Sequence, residues 1–474
     1  MSNNYKSSML KTSAIYFIGQ MSSRFLSILL LPLYTNYINT ESYGYFDIVQ
    51  TYLNVAVPFF FFEVWSAMLR FALEENEENG KKRVITNCFC LCGIGLVLFC
   101  SLYYVFIQFV SVDYNLYVFL YGITWMLQLM AMAACRGVQD NIAYALTGII
   151  GVLTVSGISV LGVFVFKWDI EALFISNICS FVVQTVFVLV KTKFYRYIEL
   201  KQIQKEVLIK LLRFCIPLSV NTIFYWLLNS INRVIIVNNL GYGANGIYSV
   251  ANKLGNIVTA LVSIFMLSWQ ETVFKLDYQK KNEIQEIYDS EFGDIKKLLA
   301  IGVICLLPFT NLFFDILIGK DYAEAFALIL PMYLMVFVTS MNSFLDVVYS
   351  AVHNTRTLLY VKIVSGSVNV IGMLLLVDKI GLYSSPIAIV IAQTVALILN
   401  VLLLRPYVKV KVGIKFLLAF GVAFVVTSWI YLYQSKLVNL GWLFVLGICA
   451  LFILRKTLVY YFGLIKSKIR SNQR

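Results

Sequence analysis

The feature that most constrains this chain is the recurrence, along its 474 residues, of apolar runs close to 20 residues long, separated by charges, glycines or prolines. The stretch from Ile94 to Val110, for example, holds no charged side chain. A helix crossing hydrocarbon needs roughly 20 such residues, because each backbone group left without a hydrogen bond there costs several kcal/mol. Composition agrees: 60% of residues are hydrophobic and 13% charged, against about 45–50% and about 25% in soluble domains, and the mean hydropathy is +0.80. The expected fold class is an all-α integral membrane protein with about fourteen spans, their centres running from Phe25, Val57 and Val97 to Val395, Ala423 and Phe452. The first stretch, Thr12 to Ile38, exceeds a signal-peptide core and is expected to remain as helix 1.

Charge placement supports that span count. With the N-terminus inside, 30 of the 38 lysines and arginines fall in segments assigned to the cytoplasmic side, and four (Lys167, Lys320, Lys379, Lys436) fall outside. Short cytoplasmic loops concentrate Lys and Arg, and a wrong count would scramble the alternation, so both termini are expected inside. The net charge of +13 is then assigned to an anionic bilayer leaflet, with no nucleic-acid partner. Two inside loops are long, near Lys191–Arg213 and Phe274–Lys297. The first spaces Ile198, Ile203, Val207, Leu208 and Leu211 as a basic amphipathic surface helix would; it reads equally as a plain connector.

An internal echo suggests two halves. SYGYFDIVQTYLN leads into helix 2 and NGIYSVANKLGN into helix 8, about 202 residues later, each with a glycine, aromatics and small or polar residues. Halves of six helices follow, with the N-terminal lobe at 1–205, the C-terminal lobe at 206–408, and two additional helices with a basic tail at 409–474.

Four cations remain within spans: Arg24, Arg233, Lys253 and Lys362. Embedded ionised groups cost about 2.5–3.5 kcal/mol at a helix centre, so they face a partner, water or a ligand. Arg24, midway along helix 1 and flanked by Ser22, Ser23 and Ser27, is too deep to reach the surface and is a candidate anion ligand. Arg233 and Lys253 are further candidates for a diphosphate, with an ion pair or snorkelling as the alternative; Lys362 is expected to snorkel. Glu63, Glu271 and Asp346 are embedded acids open to ion coupling or to salt bridges, and His353 reads as interfacial. Pro32, Pro58, Pro217 and Pro308 mark kinks. The nine cysteines lack companions at metal-ligand spacing, and no metal, disulfide or other cofactor is expected.

Several segments resemble the polysaccharide-biosynthesis flippases, the Wzx type within the multidrug/oligosaccharidyl-lipid/polysaccharide exporter superfamily. They are Leu31-Pro32-Leu33-Tyr34, Tyr43-Gly44 followed by Asp47, NGIYSVANKL at Asn245–Leu254, and LIGKDYAEAFALILP at Leu317–Pro331. The resemblance runs in order over most of the chain and thins after Arg405. It implies two six-helix lobes around a central cavity and alternating access across a bacterial plasma membrane. The implied cargo is an undecaprenyl-pyrophosphate-linked oligosaccharide for O-antigen or capsule, with a polysaccharide assembly machinery as a partner. Arg24 matches by position a cavity arginine on helix 1 of related lipid II flippases. Physically, forked guanidinium donors suit phosphate oxygens that would otherwise cross the bilayer desolvated.

Two other classes compete. A cation-coupled drug exporter of the same superfamily needs a buried acid in its cavity, whereas helix 1 carries Arg24. A membrane polysaccharide polymerase needs paired carboxylates or a metal–nucleotide site, and the chain has no Asp-x-Asp pair and only short outside loops.

Overall fold

Apolar surroundings force the backbone to satisfy its own hydrogen bonds, and a run of 20 apolar residues can do so within itself only as a helix. The computed structural model describes residues 29–471 apart from 76, 275, 277–280 and 353. Arg24, the centre of helix 1 and His353 lie outside these residues, as does the side chain of Glu271. The described chain is helical almost throughout: α1 (Leu31–Tyr37), α2 (Thr40–Phe60), α3 (Val64–Glu74), α4 (Glu78–Phe109), α5 (Asn115–Gly137), α6 (Asn141–Phe164) and α7 (Ile170–Thr192). There follow α8 (Lys205–Phe274), α9 (Lys281–Leu317), α10 (Ala325–Ala351), α11 (Thr355–Ile380), α12 (Ser384–Leu403), α13 (Ile414–Tyr433) and α14 (Lys436–Ser471). Every predicted centre from Val57 to Phe452 lies within one of them. Among the described residues, nine helices are long and apolar enough to cross a membrane, or ten if α2 and α3, bent by 52°, form one broken span.

The chain divides into two compact units, residues 1–246 and 247–474. In the first, α5, α7 and α6 are joined by a polar ladder: Gln128 donates to Gln184 (2.9 Å), Gln184 to the Ser180 hydroxyl (2.8 Å), and Ser180 to the Gly151 carbonyl (2.9 Å). Beside the ladder, Phe46, Tyr121 and Phe174 meet edge to face, the arrangement their ring quadrupoles favour. In the second unit Trp269 stacks on Phe344 at 4.1 Å while its indole N–H donates to the Phe344 carbonyl. There Asn342 donates to Gln393 and accepts from Asn400, linking α10 to α12.

The segment whose spacing suits either a surface helix or a plain connector is organised as follows. Phe194–Tyr197 and Leu200–Gln202 form short 3-10 turns, and Lys205 already begins α8. The reason lies in α4: Thr86 donates to the Tyr197 carbonyl and accepts from the Glu199 amide, while Asn87 donates to the Gln202 carbonyl and accepts from the Gln204 amide. These bonds occupy backbone groups that a regular helix would use, so the connector reading holds. Lys82 completes the clamp at 2.7 Å from Glu199 and holds that carboxyl below its ordinary range.

The two echo segments meet. A Cβ on Gly44 would lie 1.8 Å from the Tyr242 carbonyl oxygen and 2.7 Å from the Gly246 nitrogen, and one on Gly246 would lie 2.1 Å from the Thr40 carbonyl oxygen. Backbones this close admit no side chain, and Asn245 uses the approach to donate to the Gly44 carbonyl at 2.9 Å. Gly241, at φ +86°, supplies the turn that lets α8 reach this contact. Gly44→Ala is expected to cost at least about 1–3 kcal/mol through overpacking. Gly93→Ala, which meets open space, is expected to gain about 0.5–1 kcal/mol. Thermal midpoints from size-exclusion profiles of heated detergent-solubilised protein measure both. Asn87→Ala is expected to speed tryptic cleavage after Lys201. Because Lys82 holds the folded Glu199 carboxyl below its ordinary range, the Lys82 contribution to the clamp is present above that range and is lost on acidification below it, so wild-type cleavage of the connector by an acid-active protease is expected to rise there.

Candidate functional site

The break between α2 and α3 builds the site. Pro58 brings no amide N–H to the ladder of α2, and the chain leaves the helix after Phe60, with Phe62 (φ +53°) and Glu63 (φ +51°) in left-handed conformation before α3 resumes. Left-handed non-glycine residues cost on the order of 1–3 kcal/mol each and persist where surrounding contacts over-determine them. Here the contacts are those of Glu63: its carboxylate accepts from Ser66 (3.2 Å) and from Thr222 of α8 (2.8 Å). Among the described residues no lysine or arginine lies within salt-bridge distance of it.

Glu63 borders a cavity of about 430 Å³ within the first unit, whose walls include Asn54, Trp65, Trp125, Thr222 and Trp226. Helical spacing explains the convergence. Asn54, Val57 and Pro58 share one face of α2, Trp125 and Leu129 one face of α5, and Thr222, Trp226 and Ser230 recur every fourth residue on α8. Two of the tryptophans are fixed: the Trp226 indole N–H donates to the Thr51 carbonyl at 2.5 Å, and Trp125 stacks on Phe181 with Tyr121 at its edge. The cavity volume falls in the lower part of the about 300–1,000 Å³ range of small-molecule pockets, and its mixture of aromatic faces and a few polar groups is the usual one.

The same faces of α2 and α8 carry an ionic node. Arg233 Nε donates to Asp47 Oδ2 at 2.9 Å, with the two side chains only 20% and 15% exposed, and Asn245 Nδ2 approaches the same oxygen at 3.2 Å. Along α2 and into the break that follows it, Asp47, Thr51 and Glu63 meet Arg233, Trp226 and Thr222 in turn, so this stretch and α8 run antiparallel in a fixed register.

The residues singled out by sequence are therefore dispersed. Glu63 lines the cavity; Arg233 sits beyond Ser230, engaged with Asp47; Lys253 lies partly buried on α8 in the second unit. Asp346 pairs with Lys362 at 2.5 Å, so Lys362 does not snorkel but answers a buried acid. Asp47 and the three cavity tryptophans were not among the expected site residues. Asp47 had a signal, since it stands one helical turn after Gly44 in the quoted motif and on the face of Asn54. The tryptophans had none beyond their number, because which of seven share a wall depends on long-range packing.

Comparison with known proteins agrees with this architecture. A family model described as polysaccharide biosynthesis protein matches residues 9–270. No curated protein matches the chain. Among solved structures, the lipid II flippase MurJ in an inward closed conformation is similar with a TM-score of 0.68 at 16% identity, covering 95% of this chain and 100% of its own. An inward-facing multidrug resistance MATE family transporter of the MOP superfamily is similar with a TM-score of 0.62 at 15% identity, covering 82% and 97%. At these identities the likeness is one of fold.

Removing one partner of a half-buried pair leaves the other uncompensated. Asp47→Asn is expected to destabilise by on the order of 3 kcal/mol, the low end of the buried-pair range because both side chains retain some exposure. Glu74→Gln, in an Arg70 pair more than half exposed on both sides, is expected to cost about 0–1 kcal/mol. Unfolding midpoints of the two variants decide the comparison.

Proposed function

The chain belongs to the polysaccharide biosynthesis protein family, whose model matches more than half of it, and from that premise we propose that it moves undecaprenyl-pyrophosphate-linked oligosaccharide repeat units from the cytoplasmic to the outer leaflet for a surface polysaccharide such as O-antigen or capsule. It is a Wzx-type, multi-pass membrane transporter of the bacterial inner membrane, and not an enzyme. The observation that carries the proposed cargo is the cavity beside Glu63, where three indole faces and hydrogen-bonding side chains stand together around one site.

The proposal assigns the diphosphate to Arg24, Arg233 and Lys253 and the glycan to the aromatic walls, with the lipid tail remaining in the bilayer. Arg233 already holds a carboxylate through Nε, so its use on phosphate means exchanging Asp47 for another anion. We retain lobes at 1–205 and 206–408, with 409–474 as additional helices, and alternating access as the transport cycle. A second reading draws on Glu63 itself: a cavity carboxylate with no cation beside it among the described residues is what a cation-coupled exporter of this superfamily needs.

Purified protein in vesicles loaded with an undecaprenyl-pyrophosphate oligosaccharide tests the proposal. Wild type is expected to deliver glycan to the opposite leaflet, Arg24→Ala to lose at least about tenfold in rate, and Arg24→Lys to retain part of it. Absence of glycan movement together with efflux of an organic cation selects the second reading.

A further inference from the structure

Resting on the flippase reading above, we propose that the cavity beside Glu63 is a subsite for one uncharged pyranose of the repeat unit, stacked on the tryptophan walls with Glu63 accepting from its hydroxyls, and that this subsite rejects acidic sugars. Three observations converge. First, the walls are aromatic and held: Trp226 by its bond to the Thr51 carbonyl, Trp125 by Phe181 and Tyr121. A ring locked by its neighbours loses no rotamer freedom when a ligand arrives, and its electron-rich face attracts the weakly positive C–H face of a pyranose.

Second, Glu63 is placed to accept rather than to pair. One oxygen accepts from Ser66 and the other from Thr222, and each has a second lone pair. A carboxylate accepts and never donates while ionised, so it complements hydroxyl donors, and hydrogen bonds to a charged acceptor are about twice as strong as neutral ones. Asn54 and Ser230, also on the cavity wall, add groups able to donate and accept.

Third, the sign of the charge discriminates. A uronic acid in this cavity would set its carboxylate against that of Glu63, where like charges disfavour one another. Phosphate is disfavoured by the same argument. The subsite therefore takes the sugar and leaves the diphosphate to the cations.

The test compares two lipid-linked substrates that differ only in carrying glucose or glucuronic acid at the same position, each reconstituted with wild type, Glu63→Gln and Trp226→Ala. Wild type is expected to move the glucose form at least about tenfold faster. Glu63→Gln is expected to shrink that ratio below about threefold by removing the repulsion, and Trp226→Ala to slow both forms. Thr222→Val, which removes one donor to Glu63 without touching the charge, is expected to keep the preference. Equal rates for both substrates in wild type, or an undiminished ratio in folded Glu63→Gln, overturn the subsite and leave the flippase reading standing. Movement of neither substrate overturns both. A tryptophan fluorescence change produced by sodium alone and lost in Glu63→Gln assigns the carboxylate to a cation and also overturns the proposal.

Discussion

A carboxylate set into an apolar bundle must be answered by donors, and the way Asp47 is answered organises the first unit. Arg233 and Asn245 come to it from two parts of α8 separated by the turn at Gly241. With that node fixed, the rest of the α2–α8 seam has one register. Trp226 reaches the Thr51 carbonyl and Thr222 reaches Glu63, and at the far end Gly44 and Gly246 touch backbone to backbone. Shifting either helix by one residue would rotate its face by about 100° and break all of these contacts together. The cavity is a product of this seam, since its tryptophan, threonine and serine on α8 are presented by the same periodicity that presents Arg233.

Polar groups elsewhere obey the same requirement with different pieces. The Gln128–Gln184–Ser180 ladder and the Asn342–Gln393–Asn400 cluster hold helices by side-chain hydrogen bonds, and Asp346 with Lys362 repeats the acid–base answer within the second unit. What sets the cavity acid apart is that Glu63 is met by two hydroxyls, which satisfy its geometry without neutralising it. An acid held in this way is available to a ligand, whereas Asp346 at 2.5 Å from an ammonium is committed to structure.

Much of this was legible in the sequence. Long apolar runs dictate helices by a single constraint, backbone satisfaction, that is local and leaves no alternative, which is why every centre from Val57 to Phe452 falls inside a helix. The echo around Gly44 and Gly246 was visible as a pattern, but that the two glycines touch was not, because contact depends on packing over some 200 residues. Pro58 announced a kink; that the chain turns left-handed at Phe62 and Glu63 needed Thr222 to be in place. The connector after α7 left two readings open because its apolar spacing also suits a surface helix, and Thr86 and Asn87, over a hundred residues earlier, claim its backbone groups. Lys362 looked solitary for a similar reason, its partner being on another helix.

The clamp that Thr86 and Asn87 place on the connector has a consequence for biogenesis. Its partners all precede residue 205, so α4 can secure the segment from Phe194 to Gln204 while α8 is still being made. The Asp47 ion pair cannot form then, because its arginine emerges 186 residues later. At about 5–20 residues per second that is a delay of roughly 10–40 s. For that interval Asp47 lacks the arginine it pairs with in the finished fold, and the arrival of α8 supplies the contact that fixes the register of α2.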